Sequence, residues 1–314
     1  MRRNELIKLA LRPYQSEDDY WSIRAFLREV YLRNHRRELG WQASRFDYWR
    51  WHMVENVGVV DSLEKAIFLW ETEAGQLAAV LNADSRAVAI LTIHPGFQTP
   101  ELEEEIIDVA EQNLGIPGQR FFVFVHDLTA SRQGILRRRG YSETDGLREH
   151  QWRRDLTTPL PDVLIPKGYG VRPIGDIGSG EWRRRSWVSW RAFHPDEPDE
   201  AYEGWEWSLN WQRSPLYRRD LDIVAIAPDG QVVAYCVLWY DDVTRTGLFD
   251  PVAVMPEYQR RGLGRAIMLE AMRRAKNMGA TLATVSGYEQ GANALYRSTL
   301  SPNYDLNVPW ARIR

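Results

Sequence analysis

The sequence predicts an α/β protein, a mixed α+β chain built as two halves on one plan. Three observations carry this. Strand-like apolar runs alternate with segments of helical period along the 314 residues. The same order of elements recurs on either side of a proline- and glycine-rich stretch, Asp155 to Gly170. Landmark residues also keep a near-constant spacing: Pro13 and Pro173 are 160 residues apart, Pro95 and Pro256 161, Leu136 and Tyr296 160. So steady an offset reads as duplication. It divides the chain into 1–156, a linker at 157–168, and 169–314.

Each half opens with a strand ending in Arg-Pro, Leu9–Pro13 and Tyr169–Pro173. A tryptophan-bearing helix follows, over Tyr20–Leu32 and Glu181–Phe193. Strands come next: Ala66–Trp70 and Gln76–Asn82 in the first half, and Asp222–Ala227, Gln231–Tyr240 and Thr246–Met255 in the second. Then an amphipathic helix spans Glu101–Leu114 or Gly262–Met278. In the second of these Leu263, Ile267, Met268, Ala271, Met272, Ala275 and Met278 recur at threes and fours, and Gly279 suits the C-terminal cap. A short strand (Arg120–His126, Thr281–Ser286), another helix and a terminal strand region complete each half.

A chain of this length allows two domains of ordinary size. With 44% hydrophobic and 26% charged residues it reads as soluble and globular, and no apolar run is long enough to span a bilayer. The basic stretch Met1 to Lys8 has no signal-peptide core. A net charge of −3 argues against nucleic acid as a partner. The lone Cys236, inside an apolar strand, can form no internal disulfide and reads as core, which fits a reducing cytoplasm. Fourteen tryptophans need either core or pocket to sit in.

The most informative stretch runs from Asp250 to Ala266. An apolar strand enters a loop, Gln259-Arg260-Arg261-Gly262-Leu263-Gly264, that opens a helix. Free backbone N–H groups at a helix start, with arginines nearby, suit a phosphate or pyrophosphate. Glycine there leaves the amides open to the anion. The spacing lacks the third small residue of a dinucleotide fingerprint, and Gly-Lys-Ser/Thr of a Walker A loop is absent. Pro251 inside a strand pattern predicts a bulge or an opening between strands. In the first half the matching positions are Thr99-Pro100-Glu101-Leu102-Glu103. Thr99 is a good N-cap and the acids suit the dipole, but they would repel an anion. The first half thus keeps the scaffold and loses the reactive groups.

On these residues, with Asn293 and Tyr296 on the later helix, the chain resembles the GCN5-related N-acetyltransferases, the GNAT superfamily, in its tandem two-domain form. The match covers most of Tyr169 to Arg314, and Met1 to Leu156 as a degraded copy. Leu300-Ser301 departs from the family's usual Gly-Phe. The resemblance implies two GNAT-like domains, each a twisted, mostly antiparallel sheet flanked by helices. The first would be a degenerate, non-catalytic copy and the second the catalytic one.

It further implies an acetyl-CoA-dependent N-acetyltransferase acting on a primary amine of a small molecule by direct attack in a ternary complex. Acetyl-CoA would be the acyl donor. Gln259, Arg260, Arg261, Gly262, Leu263, Gly264, Arg265 and Ala266 would hold its pyrophosphate. Val252, Ala253 and Val254 would bind the pantetheine arm as a pseudo-strand, with the Val254 N–H on the thioester carbonyl. Asn293 would support the arm, and Tyr296 would protonate the leaving thiolate. Asp250, between Phe249 and Pro251 beside the opening, suits a general base; Glu289, Glu206 and His194 are further candidates. The stretch His194–Trp211, with Trp205, Trp207 and Trp211, would line the acceptor cleft and could receive a cationic amine. No metal or membrane is implied, and monomer or homodimer both fit. An acyl-CoA-binding sensor without turnover, or an aminoacyl or peptidyl transferase with paired domains, is compatible with the same residues.

Overall fold

The computed structural model describes residues 8–144, 146 and 148–314. Most of the basic N-terminal stretch therefore lies outside the described residues. In chain order the elements begin β1 (Leu9–Pro13), α1 (Glu17–Arg33), α2 (Ala43–Tyr48), a π-helix (Trp49–Val57), α3 (Leu63–Ala66), β2 (Ile67–Thr72), β3 (Leu77–Ser85) and β4 (Val88–Ile93). They continue α4 (Pro100–Leu114), β5 (Arg120–His126), α5 (Ala130–Arg138), β6 (Ser142–Glu143) and β7 (Glu149–Asp155). The remainder is β8 (Gly170–Pro173), α6 (Glu181–Phe193), α7 (Ser208–Trp211), β9 (Asp222–Ile226), β10 (Val232–Asp241), β11 (Thr246–Val254), α8 (Leu263–Asn277), β12 (Leu282–Gly287), α9 (Gln290–Thr299) and β13 (Tyr304–Ile313).

Two compact units form. Unit 1 holds residues 1–46, 58–149 and 305–314; unit 2 holds 47–57 and 150–304. These differ from the boundaries read from the sequence at 156 and 169. Strand β7, expected to finish the first domain, pairs antiparallel with β12 in unit 2. Strand β13, expected to finish the second, pairs antiparallel with β5 in unit 1. The last strands of the two repeats are exchanged. The segment read as a linker has no regular element, and its Leu160 and Val163 pack on the unit 2 core.

Within unit 1 the strand order is β1-β2-β3-β4-β5-β13, with β6 also on β13; within unit 2 it is β7-β12-β11-β10-β9-β8. Within each unit, among the described residues, the pairings are antiparallel except β4 with β5 and β11 with β12. The parallel pairs are those joined through a helix, α4 or α8, as parallel strands require.

The repeated Arg-Pro has a structural reason. Arg12 donates to both oxygens of Asp19 at 2.9 and 2.6 Å, and Arg172 binds Glu181, at the start of α6, with one contact at 3.1 Å. Each pair ties the first strand to the first turn of the following helix. The arginine holds each carboxyl below its usual range.

The unit 1 core gathers Ile106 and Ile107 of α4, Phe121 and Val123 of β5, Leu136 of α5, and Trp310 of β13. Unit 2 has a core on each sheet face, because strand side chains alternate. Cys236 and Leu238 face Ile267, Met268 and Met272 of α8; Tyr235, Val237 and Trp239 face Trp182 and Val188 of α6. Cys236 is fully buried and unpaired, as read from the sequence. Among the described residues no helix is long and apolar enough to cross a membrane.

Strand exchange sets the expected effect of a C-terminal substitution. Trp310→Ala removes a side chain only 5% exposed and should cost about 3–5 kcal/mol in denaturant unfolding. Hydrogen exchange should rise in Arg120–His126 and stay unchanged in Leu282–Gly287; the reverse pattern would contradict the exchange.

Candidate functional site

The site begins where β11 loses a neighbour. Strands β11 and β12 pair in parallel from Thr246–Leu282 to Phe249–Val285 and then part. Beyond that point β12 continues against β7, and β11 continues against β10. The β10 register runs from Leu238–Phe249 to Cys236–Val252, so Asp250 and Pro251 together oppose Val237. This is a bulge of one extra residue on β11, and its Asp250–Pro251 peptide is cis. Both the bulge and the opening expected from Pro251 are present.

The alternation of strand amides then decides which groups face the gap. Met255 N–H donates to Val233 of β10 at 3.0 Å. Successive strand amides point to opposite edges, so the N–H groups of Val252 and Val254 turn away from β10, to the side β12 has left. The Gln259 side chain donates to the Val254 carbonyl at 3.3 Å. Asp250 is half-buried at the bulge, and the indole N–H of Trp239 donates to its carbonyl. Glu206, Glu289 and His194 are all exposed, with Glu206 on the Trp205 amide and His194 on the Trp190 carbonyl.

At the start of α8, Gly262 has φ 84°, and no side chain caps the helix. A Cβ on Gly262 would meet nothing within 4 Å, whereas one on Gly264 would lie 3.0 Å from Leu295 Cδ2 and 3.5 Å from Val254 Cγ2. The two glycines therefore do different jobs. Gly262 supplies the left-handed turn beneath open space, and Gly264 lets α8, α9 and β11 close together. Leu263 and Ala266 are buried in that packing. Arg261 donates to the Tyr169 hydroxyl at 2.9 Å and the Glu257 carbonyl at 2.8 Å, and Arg265 to the Ser298 carbonyl. Arg260 is exposed at φ 62° and makes no hydrogen bond among the described residues.

Helix α9 brings Asn293 and Tyr296 against the end of β12. The Trp152 indole donates to Asn293 Oδ1 at 2.8 Å. Tyr296 is 7% exposed, and its hydroxyl makes no hydrogen bond among the described residues. Burial first, then the charge of Asp250, raises its pKa, so the phenol keeps its proton. The close approach rests on Gly287, which the sequence reading missed. A Cβ there would fall 2.2 Å from Asn293 Oδ1 and 2.9 Å from Tyr296 Cδ2.

The opposite sheet face carries a buried charge pair and most of the aromatics. Arg185 and Asp222 are fully buried, with Arg185 Nε donating to Asp222 Oδ1 at 3.0 Å. The guanidinium lies 4.2 Å from the Tyr235 ring centre and 4.3 Å from that of Trp211, which offsets part of its desolvation. Burial pushes Tyr235 up to about 12. Trp211 belongs to this core, and Trp205 and Trp207 pack partly buried against it. Of the acids in the stretch, Asp196, Glu197, Asp199, Glu200, Glu203 and Glu206 are exposed. Tyr48 and His52, from the π-helical region, also join this face, with Tyr48 5.9 Å from Trp239 and His52 5.3 Å from Trp211. No period in the sequence marks them, because a π-helix follows neither strand nor α-helix spacing.

The matching place in unit 1 is filled. Strands β4 and β5 also part, after Ala89–Val123. There Arg132 of α5, 3% exposed, donates to the Leu91 carbonyl at 3.2 Å and to Glu103 Oε1 at 3.2 Å. Leu91 and Glu103 are each 161 residues before Val252 and Gly264. An ion pair stands where unit 2 has a strand gap and a glycine. Thr99 caps α4, accepting from Leu102 at 3.2 Å.

Two outcomes follow. Gly287→Ala should push Asn293 off Trp152, costing about 1–3 kcal/mol and changing tryptophan fluorescence; an unchanged spectrum and stability would contradict the close approach. Burial, then Arg185, pushes His52 from 6.5 down to about 4. The unfolded chain binds that proton more tightly, so this stability is whole above 6.5 and is lost as pH falls toward 4. His52→Gln should flatten the fall in Tm between those values.

Residues 181–300 match the Acetyltransferase (GNAT) family. A mycothiol acetyltransferase of Paenarthrobacter aurescens is 23% identical over 265 residues, covering 76% of this chain and 74% of its own. Another, of Pseudarthrobacter chlorophenolicus, is 21% identical over 255 residues, covering 77% and 75%. A GCN5-related N-acetyltransferase structure from Sphaerobacter thermophilus superposes with a TM-score of 0.63 at 17% identity, covering 97% of this chain and 95% of that one. A tandem GNAT protein from the clavulanic acid biosynthesis pathway gives 0.61 at 14% identity, covering 97% and 98%. At such identities the structures establish the fold. Residues 181–300 thus match the GNAT acetyltransferase family, and the chain as a whole shares the fold of a tandem GNAT protein.

Proposed function

We propose that unit 2 transfers an acetyl group from acetyl-CoA to the primary amine of a small molecule by direct attack in a ternary complex. The observation that carries this is the parting of β11 from β12, with the Val252 and Val254 amides facing the gap. The pantetheine arm takes the place of the missing strand. Its pyrophosphate lies on the uncapped start of α8, from Gln259 to Ala266, where helix dipole and free N–H groups favour an anion. Arg260 is the arginine of that loop with no hydrogen-bond partner among the described residues, so it is the side chain available to the diphosphate.

In the reaction, Asp250 takes the proton from the acceptor ammonium, directly or through water. The freed amine attacks the thioester carbonyl, and the Val254 N–H stabilises the oxyanion. The C–S bond then breaks as Tyr296 gives its proton to the CoA sulfur, and the remaining ammonium proton of the attacking nitrogen passes back to the Tyr296 oxygen, leaving a neutral amide and a neutral phenol. A tyrosine held protonated by burial suits that role. Asn293, fixed by Trp152, positions the arm beside Tyr296. The relatives' name, mycothiol acetyltransferase, supports a small molecule as acceptor. Unit 1 is a non-catalytic copy whose donor cleft the Glu103–Arg132 pair occupies. We place the enzyme in the cytoplasm, in keeping with a single unpaired cysteine.

Calorimetry should give one acetyl-CoA per chain. Tyr296→Phe and Asp250→Asn should each lower turnover by roughly 10²–10⁴-fold with donor affinity retained. Full turnover in both variants removes these roles. Donor binding without CoA release across an amine panel would favour a sensor. Failure to bind acetyl-CoA, with retention of aminoacyl-tRNA, would favour an aminoacyl transferase.

A further inference from the structure

The π-helix Trp49–Val57 lies outside residues 181–300 in sequence and inside unit 2 in space. Nine residues of π-helix are rare, and such distortions concentrate at functional sites. Here the distortion presents one half-buried side rich in rings. Tyr48, at its head, has its ring 5.1 Å from His52, and His52 is 5.3 Å from the Trp207 ring. His52 Nδ1 is held 2.9 Å from Asn56 Nδ2, and Asn56 Oδ1 accepts from Asn210 at 2.7 Å. The ring is therefore held at Nδ1 by an Asn56 that is itself fixed by Asn210.

Tyr48 reaches the reaction centre through Trp239, 5.9 Å away, whose indole holds the Asp250 carbonyl. Burial first, then the charge of Asp250, opposes ionisation of the Tyr48 hydroxyl. Among the described residues the hydroxyl makes no hydrogen bond, so it keeps a donor and an acceptor for a ligand. Behind the wall the carboxylates of Asp222 and Glu55 are each paired with an arginine, which leaves them neutralised toward a second cation. Arg185 acts on both Tyr48 and His52, Arg213 lies 4.7 Å over Trp51, and Glu55 on the π-helix is paired with Arg50.

We propose that this π-helical segment is the acceptor wall of the transfer site. The Tyr48 hydroxyl hydrogen-bonds the acceptor beside its amine, and the faces of His52 and Trp207 take an uncharged, ring-shaped body rather than a second cation. The proposal rests on Asp250 marking the acceptor end of the gap.

Hydrogen exchange on the full chain saturated with CoA, which holds no acetyl group to transfer, reads acceptor binding without turnover. Tyramine, a primary amine on an uncharged ring, should protect peptides covering 47–57 and 205–211; spermidine at the same concentration should not. In steady state with acetyl-CoA, Tyr48→Phe should raise the tyramine KM roughly tenfold, the loss of one hydrogen bond, with kcat and donor affinity nearly unchanged. Protection by spermidine instead, protection elsewhere, or no protection overturns the wall, as does an unchanged KM in Tyr48→Phe. If tyramine protects 47–57 but no amine is acetylated, the wall stands and the transfer reading falls. If amines are acetylated while 47–57 stays unprotected, the transfer reading stands and the wall falls.

Discussion

A strand inside a sheet has a neighbour for each edge, and where one neighbour leaves, its amides must find another partner. In unit 2 that happens after Phe249, where β12 turns to β7 and β11 stays with β10. The bulge at Asp250–Pro251 resets the strand so that the Val252 and Val254 amides face the vacated edge. The rest of the site is arranged around that edge. The uncapped start of α8 lies at one end, α9 with Asn293 and Tyr296 alongside, and Asp250 at the bulge. Two glycines permit it by lacking a Cβ, Gly264 against Leu295 and Gly287 against Asn293.

The same plan appears in unit 1 with different occupants. The strands part there too, but Glu103 stands where unit 2 has Gly264, and Arg132 bridges it to the Leu91 carbonyl. Burying this pair is tolerable because Glu103 Oε1 accepts from two guanidinium nitrogens and the guanidinium also finds a carbonyl. Removing either partner would leave an uncompensated charge in the core. A gap filled in this way is held shut by its own energetics.

The other face of the unit 2 sheet explains the tryptophan content. Arg185 and Asp222 sit at 0% exposure among Trp182, Trp211, Tyr235 and Trp239. Rings with negative faces are suitable neighbours for a guanidinium out of water, and the indole of Trp239 also holds the Asp250 carbonyl. A structural core and the shape of the bulge are thereby linked through a single side chain.

Much of this was legible in the chain. The 160-residue offset announced a duplication, Arg-Pro marked the first strands, and Gly262 with Pro251 pointed to a helix start and a bulge, because each of these is a local backbone constraint written in one or two residues. The tertiary structure alone decided the rest. It exchanged β7 and β13 between the units, since strands of the same repeat family carry equivalent edges and local sequence does not name the partner. It drew Tyr48 and His52 into unit 2 from residues 47–57, gave Gly264 a packing role, and required Gly287, because each depends on which distant side chains arrive at the same point in space.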